Sequence, residues 1–302
     1  MAAAIFAGVD VGGTHVRMGL VGPGNRVVRE STVPTASFAG GRDTPGLLLR
    51  AIAGFIGSDE VAALCIGFPS VVSRDRRTVL QTPNVPGLDN VPMAGLAERL
   101  FSFPVFIEKD VNLLLRHDVE ALDLGGLDPL LGFYLGTGVG NAIMIGGRVY
   151  TGAMGAAGEL GHVPVRGSDA ACTCGNVGCV EMVASGKALV AYSAAAHPGT
   201  PIGEFFVRHG DDDFVHEFLE LIAMTVSTEI NILDPAAAIF GGGIVQMAGF
   251  PRDAFLAGVR KHLRPPYPKE SVRLLFSGES RNAGILGAAA HARASLALQS
   301  SS

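Results

Sequence analysis

One pattern occurs twice in this chain and constrains its fold more than any other feature: an apolar strand, a turn of glycine and threonine, and a second apolar strand. The first copy spans residues 5–21 around Asp10-Val-Gly-Gly-Thr14, and the second spans residues 131–145 around Gly136-Thr-Gly-Val-Gly140. Two halves that open alike predict a duplicated α/β unit. We therefore expect an N-terminal domain at 1–115 and a C-terminal domain at 116–302, with a cleft between them and the last helix packing back on the first domain.

The remaining segments also alternate between strand and helix patterns. Strands are predicted at 61–68, 105–108, 236–240 and 272–276. Helices are predicted to begin at Thr44-Pro45 with the threonine hydroxyl as cap, near 93 and at 111, and to cover 213–233 and about 283–292. Residues 69–92 are predicted to be loop, 151–181 irregular and 300–302 frayed.

The charge distribution narrows the class of partner. The chain has 28 acidic and 23 basic side chains, and its Lys and Arg residues form no run, which argues against a nucleic-acid surface. The apolar residues 2–9 have no basic segment before them, and no stretch of about 18 apolar residues predicts a membrane span. A small polar ligand, no nucleic acid, no membrane contact and a cytoplasmic location are expected.

Three glycine-rich turns at strand ends indicate phosphate binding. Backbone N–H groups in such turns, with a threonine hydroxyl beside them, can hold phosphate oxygens. A single turn of this kind is as well explained by hairpin geometry, but three in one chain favour a nucleotide. No Gly-Lys-Ser/Thr sequence and no βαβ dinucleotide unit is present, which leaves an actin-like ATPase fold as the natural candidate. The residues concerned are Gly12, Gly13, Thr14, Gly136, Thr137, Gly138, Gly241, Gly242 and Gly243.

A second cluster has the composition of a zinc site. His162, Cys172, Cys174 and Cys179 supply one imidazole and three thiols, which are ligands of a closed tetrahedral zinc site. Gly175 and Gly178 would let the short loop wrap the ion. The alternative is a disulfide or free core thiols, which a cytoplasmic chain and the Cys-x-Cys spacing disfavour. The remaining cysteine, Cys65, is expected to be an inert core residue.

Three acids complete the candidate site. Asp110 stands between a strand end and a helix start, a position that suits either a catalytic group or a plain helix cap. Glu159 lies three residues before His162, on the same side if residues 156–161 are helical. Glu181 follows Cys179 by two residues. Either glutamate alone can be a solvated surface acid, whereas both beside a zinc site would suit vicinal hydroxyl groups.

These motifs together resemble the ROK family of sugar kinases along the whole chain. Asp10–Thr14 and Gly136–Gly140 resemble the two phosphate motifs of the family, and Asp110-Val-Asn112 resembles its catalytic-base motif. The stretch Gly152–His162, with Cys172–Glu181, resembles the family signature. The resemblance implies an actin-like, ribonuclease H-like fold, a homodimer, a structural zinc ion and transfer of phosphate from MgATP to a hexose 6-hydroxyl.

The resemblance also implies roles for individual residues. Asp110 would be the base, and Asp10 would orient magnesium through water. His162 and the three cysteines would hold zinc, and the glycine turns, including Gly241–Gly243 on the adenosine side, would hold the nucleotide. The hexose would be bound by Asn84, Lys109, Asn112, Glu159, His162 and Glu181.

The sugar is less closely defined by the sequence. Residues 66–86 resemble bacterial kinases of D-allose, and Lys109 stands where glucose-type members have asparagine, although its side chain can equally turn to solvent. Glucose and N-acetylmannosamine are the alternatives.

Two other function classes are considered. A sugar-responsive repressor of the same fold would need a DNA-binding segment before the first hairpin, where nine residues precede Asp10. A catalytically silent sugar-binding protein would not need the base.

Overall fold

Both predicted glycine hairpins are present, and each belongs to a five-stranded sheet. The computed structural model describes residues 4–41 and 43–299, so the end predicted to fray at 300–302 lies outside the described residues. The strands are β1 (Ile5–Val11), β2 (His15–Gly22), β3 (Arg26–Pro34), β4 (Val61–Phe68), β5 (Val71–Val72), β6 (Val79–Gln81), β7 (Val105–Lys109), β8 (Leu130–Leu135), β9 (Val139–Ile145), β10 (Arg148–Val149), β11 (Ala237–Gly241) and β12 (Arg273–Phe276). The helices are α1 (Thr44–Ile56), α2 (Met93–Glu98), α3 (Asp110–Ala121), α4 (Gly186–Ala196), α5 (Phe205–His209), α6 (Asp213–Leu233), α7 (Arg252–His262) and α8 (Ala283–Gln299).

The two sheets have the same topology. The first has the order β3-β2-β1-β4-β7 and the second the order β10-β9-β8-β11-β12. In both sheets the first three strands pair antiparallel and the last two pairings are parallel. The expected duplication of an α/β unit is therefore confirmed.

The chain divides into two compact units. Of the described residues, the first unit holds those up to Ala121, residues 151–157 and residues 280–299, and the second holds residues 122–150 and 158–279. The boundary predicted after residue 115 falls inside α3, which belongs to the first unit as a whole. The C-terminal α8 is part of the first unit as well.

The strand β4 is apolar throughout because both faces of the first sheet are covered by helices. Leu64 and Ile66 belong to a core shared with α1, whereas Ala63 and Cys65 belong to a core shared with α8. Cys65 is fully buried, and this burial raises the pKa of its thiol well above the usual value. Its predicted role as a core residue is confirmed.

Small residues allow α8 to lie directly against its neighbours. A side chain at Gly8 would overlap the carbonyl oxygen of Ile285, and one at Gly287 would overlap the carbonyl oxygen of Leu113. The backbone of α8 thus touches that of β1 and α3.

The second unit has an aromatic core, in which Phe240 stacks on Phe133 and meets Phe255 edge to face.

Local predictions failed at three places. The cap of α1 is the carboxylate of Asp43, which accepts the N–H of Gly46 at 3.1 Å, because the Thr44 hydroxyl instead donates to the Phe38 carbonyl. The segment predicted as loop at 69–92 contains the hairpin β5–β6. Residues 156–161 are not helical, and only Leu160–His162 forms a single 3₁₀ turn.

Within residues 4–41 and 43–299, no helix is both long and apolar enough to cross a membrane.

Candidate active site and metal-binding cluster

The first glycine turn is held in place by one buried threonine. The Thr35 hydroxyl donates to the Gly12 carbonyl at 2.6 Å, and the Thr35 N–H donates to the Thr14 carbonyl at 2.9 Å. Gly13 packs against Asn84, where an added Cβ would stand 3.1 Å from the Cβ of the asparagine. Gly13, Thr14 and Asn84 are exposed. The first unit therefore brings a predicted phosphate turn and a predicted sugar contact side by side.

Asp10 precedes this turn at the end of β1. Its carboxylate lies 3.5 Å from the Arg17 guanidinium and faces the first turn of α8, where an added Cβ at Gly284 would stand 2.6 Å from the Asp10 Cγ. Burial raises the pKa of Asp10, and the charge of Arg17 opposes that rise. The Asp10 side chain is thus largely buried, with part of its surface exposed to solvent.

The second and third glycine turns both lie in the second unit. The Gly136 N–H closes the first of them on the Gly138 carbonyl at 3.0 Å, and Gly186, at the start of α4, donates its N–H to the Gly136 carbonyl at 2.8 Å. The segment after Gly241–Gly243 is tied to the end of β8, because the Ile244 N–H donates to the Leu135 carbonyl at 2.9 Å. Two turns from separate parts of the sequence therefore meet at the end of β8.

Asp110 begins α3 immediately after β7. Its Oδ1 accepts the N–H of the next residue, Val111, at 2.7 Å, which is not the N2 or N3 contact of an ordinary cap. The side chain is partly exposed at a point where a buried strand passes into a helix. Such a junction holds a carboxylate in one orientation on a rigid scaffold.

The neighbours of Asp110 are more deeply buried than the sequence indicates. Lys109 is 8% exposed, so its side chain is not turned to solvent. Asn112 is also buried, and its amide nitrogen donates to Glu108 Oε1 at 2.9 Å. Glu108 also lies 3.4 Å from Nη1 of Arg76. Sequence reasoning overlooked Glu108 and Arg76, although a glutamate closing an apolar strand is a recognisable signal of a buried charge.

The predicted zinc ligands lie together in the second unit. One ring nitrogen of His162 and the Sγ atoms of Cys172, Cys174 and Cys179 all lie within 4.8 Å of one another. Cys172 Sγ is 3.6 Å from His162 Nδ1, and Cys174 Sγ is 3.6 Å from Cys179 Sγ. Four ligands at zinc–ligand distances of 2.0–2.3 Å are separated by about 3.5–3.8 Å in a tetrahedron, so the donor set and these two separations fit the ion.

One glycine of this loop has a geometric requirement. Gly178 has φ +76°, and an added Cβ would stand 2.5 Å from the Ser168 carbonyl oxygen. Gly175 also has a positive φ of +96°. The chain can therefore turn back between Cys174 and Cys179 only with glycine at 178, as the wrapping of an ion requires.

Two carboxylates flank the histidine of this cluster. Glu159 Oε2 lies 3.6 Å from His162 Nε2, and Glu181 Oε1 lies 3.9 Å from His162 Nδ1 and 3.4 Å from Cys172 Sγ. The other oxygen of Glu181 faces the second glycine turn, because an added Cβ at Gly138 would stand 2.6 Å from Oε2. The second unit thus combines a phosphate turn, a metal cluster and two acceptor carboxylates.

Comparison with known proteins gives consistent results over the whole chain. The model of the ROK family matches residues 6–295. The chain is 27% identical to the N-acetylmannosamine kinase of Shigella boydii, over 93% of this chain and 96% of that protein. It is 28% identical to the glucokinase of Thermotoga maritima, over 93% of this chain and 95% of that protein. A ROK family glucokinase from Streptomyces griseus, whose crystal structure was determined in complex with glucose and AMPPNP, has 28% sequence identity to this chain. The two structures match with a TM-score of 0.83 over 96% of this chain and 100% of that one. The chain belongs to the ROK family.

Proposed function

We propose that this protein transfers the γ-phosphoryl group of MgATP to the 6-hydroxyl of a hexose. The observation that carries the proposal is Asp110, a partly exposed carboxylate oriented by the Val111 N–H at a strand–helix junction. It occurs in a family whose relatives are named glucokinase and N-acetylmannosamine kinase. In phosphoryl transfer the protein mainly supplies position and charge compensation, and one carboxylate accepts the proton of the attacking hydroxyl.

The glycine turns are the proposed nucleotide contacts. Exposed Thr14 and Thr137 offer hydroxyl groups, and the backbone N–H groups beside them offer further donors to phosphate oxygens. Asp10 would orient the magnesium ion through a bound water, since Mg²⁺ keeps several waters when bound. Magnesium itself would neutralise charge that develops on the transferring phosphate.

The proposed hexose contacts include both hydrogen-bond donors and acceptors. Asn84, Lys109 and Asn112 offer amide and ammonium groups. Glu159 and Glu181 offer acceptors for vicinal hydroxyl groups, and His162 would donate from the ring nitrogen that does not hold zinc. Asn112 donates one amide hydrogen to Glu108, and its carbonyl oxygen and second amide hydrogen are the groups proposed to contact the hexose.

We propose D-allose as the hexose. The support is the resemblance of residues 66–86 to allose kinases and the presence of Lys109, a cationic donor in place of an amide. A buried ammonium group needs acceptors in fixed positions, so it selects for the orientation of nearby hydroxyl groups more strictly than a solvated one. D-Glucose and N-acetylmannosamine are the comparison substrates.

The test is a coupled ADP-release assay with these three sugars. We expect the highest kcat/KM with D-allose, and Asp110→Asn should lower kcat by about 10²–10⁴-fold, because a positioned base contributes that much, while hexose binding remains measurable by calorimetry. Glu120→Gln, an exposed acid on the same helix, is the matched control and should leave kcat unchanged. Normal turnover in Asp110→Asn would exclude it as the base, and sugar binding without any turnover in the wild type would exclude the kinase.

We further propose that His162, Cys172, Cys174 and Cys179 hold one structural zinc ion, since all four positions would be filled by protein. Metal analysis of the purified protein should give about one zinc per chain. Cys174→Ser should lose most of it and weaken hexose binding more than ATP binding, because His162 belongs to the cluster and Glu181 lies beside it. Cys65→Ala is the control and should retain the metal. A metal content near zero in the wild type would contradict the assignment.

A further inference from the structure

Glu108 is a buried carboxylate two residues before Asp110. Its side chain is 3% exposed and lies at the end of β7, where the chain turns into α3. A carboxylate in such a position is costly unless it is paired and its lone pairs accept hydrogen bonds. The contacts of Glu108 therefore indicate the structural role of its charge.

One oxygen of Glu108 receives three donors from three segments. Oε1 accepts the backbone N–H of Lys109 at 2.8 Å and the amide of Asn112 at 2.9 Å, and it lies 3.4 Å from Nη1 of Arg76. These donors belong to the last residue of β7, the first turn of α3 and the turn between β5 and β6. The carboxylate thus contacts the backbone before Asp110 and a side chain after it, and it ties both to the β5–β6 hairpin.

The partner Arg76 is held under strain. Its backbone has φ +55°, a conformation that non-glycine residues seldom adopt, and its buried Nη2 has no hydrogen-bond partner among the described residues. Its Nη1 also donates to the Val72 carbonyl at 3.2 Å. An apolar pair of similar volume would in general stabilise a buried strand end at least as well as an ion pair does. Strained and incompletely paired groups concentrate at functional sites.

We infer that Glu108 and Arg76 are positioning residues for the phosphoryl transfer, holding Lys109 and Asn112 so that the carboxylate of Asp110 keeps its orientation toward the reacting hydroxyl. The inference rests on the proposed function. Neither residue touches the substrate, so the pair acts on the chemical step through Asp110 and, to a smaller extent, on hexose affinity through Lys109 and Asn112.

The experiment measures kcat, hexose Kd without nucleotide and melting temperature for Glu108→Gln, Arg76→Met and the double variant. We expect both single variants to lower kcat about 10–100-fold, the size of the effect of a misplacement near 1 Å, with a smaller rise in hexose Kd because Lys109 and Asn112 are also proposed hexose contacts. The double variant removes the uncompensated buried charge and should recover melting temperature but not kcat. Arg76→Lys, which keeps the charge without the fork, should recover part of kcat.

The control is the adjacent arginine of the same turn. Arg77 pairs with Glu98 at the surface, with contacts of 2.9 and 2.6 Å, and Arg77→Met should leave kcat unchanged. The inference is overturned if kcat of Glu108→Gln stays within twofold of wild type, or if kcat and melting temperature recover together in the double variant, because the pair would then be structural. An inactive wild type would remove the proposed function and this inference together, whereas an active wild type with an unaffected Glu108→Gln removes the inference alone.

Discussion

The contact between Gly138 and Glu181 allows a sharp test of the hexose site within one unit. Gly138 belongs to the second glycine turn, and Glu181 is a proposed acceptor for hexose hydroxyls. In Gly138→Ala the new Cβ would stand 2.6 Å from Glu181 Oε2, whereas ordinary contact begins at 3.4 Å. The carboxylate must therefore withdraw by about 0.8 Å.

A shift of that size converts a good hydrogen bond into a poor one. An acceptor at 2.8 Å would move to about 3.6 Å, beyond the range of a hydrogen bond. A hydrogen bond to a charged group contributes about 1.5–3 kcal/mol, so losing it should weaken hexose binding about 10–150-fold. The fold should tolerate the change, because the displaced atom is the end of a flexible side chain.

Isothermal titration with hexose in the absence of ATP measures this effect free of any phosphate contact. Gly136→Ala is the matched control in the same turn, because nothing lies within 4 Å of its added Cβ. We expect its hexose Kd to stay within twofold of wild type. A Gly138→Ala protein that is folded and binds hexose as tightly as wild type would refute the role of Glu181 as a sugar contact.

Two further predictions concern stability. In a urea titration, Gly287→Ala should lower the free energy of unfolding by about 1–3 kcal/mol, as overpacking does, because the new methyl group overlaps the Leu113 carbonyl. Gly54→Ala is the control, and it should be neutral or stabilising because nothing lies near its added Cβ on the open face of α1. Burial lowers the pKa of His291 to about 4, so the unfolded state binds the extra proton first as pH falls. The free energy of unfolding should therefore decline between about pH 6.5 and pH 4 by up to about 3 kcal/mol. Urea titrations across this range measure the effect, and His291→Leu should remove that part of the pH dependence. A variant whose free energy of unfolding falls with pH as steeply as that of wild type would contradict the assignment to His291.

Local sequence patterns were sufficient for the two hairpins, for several further strands and helices, and for the cysteine cluster. Strand periodicity and glycine spacing identified both hairpins, and the spacing of Cys172, Cys174 and Cys179 is short enough that the loop itself brings the thiols together. The helix over 213–233 was also predicted at its observed bounds. These features depend on neighbours a few residues apart, which a sequence displays directly. The zinc ion and the roles of the site residues remain predictions.

Contacts between distant segments were decided only by the tertiary structure. Arg76 and Glu108 are 32 residues apart, and neither shows in its own neighbourhood that the other will neutralise it. Gly138 meets the side chain of Glu181, and Gly287 meets the backbone of Leu113, because the packing of each unit brings distant segments together. The physical reason is that burial and pairing are properties of a whole packed unit, whereas propensity and spacing are properties of a short stretch of chain.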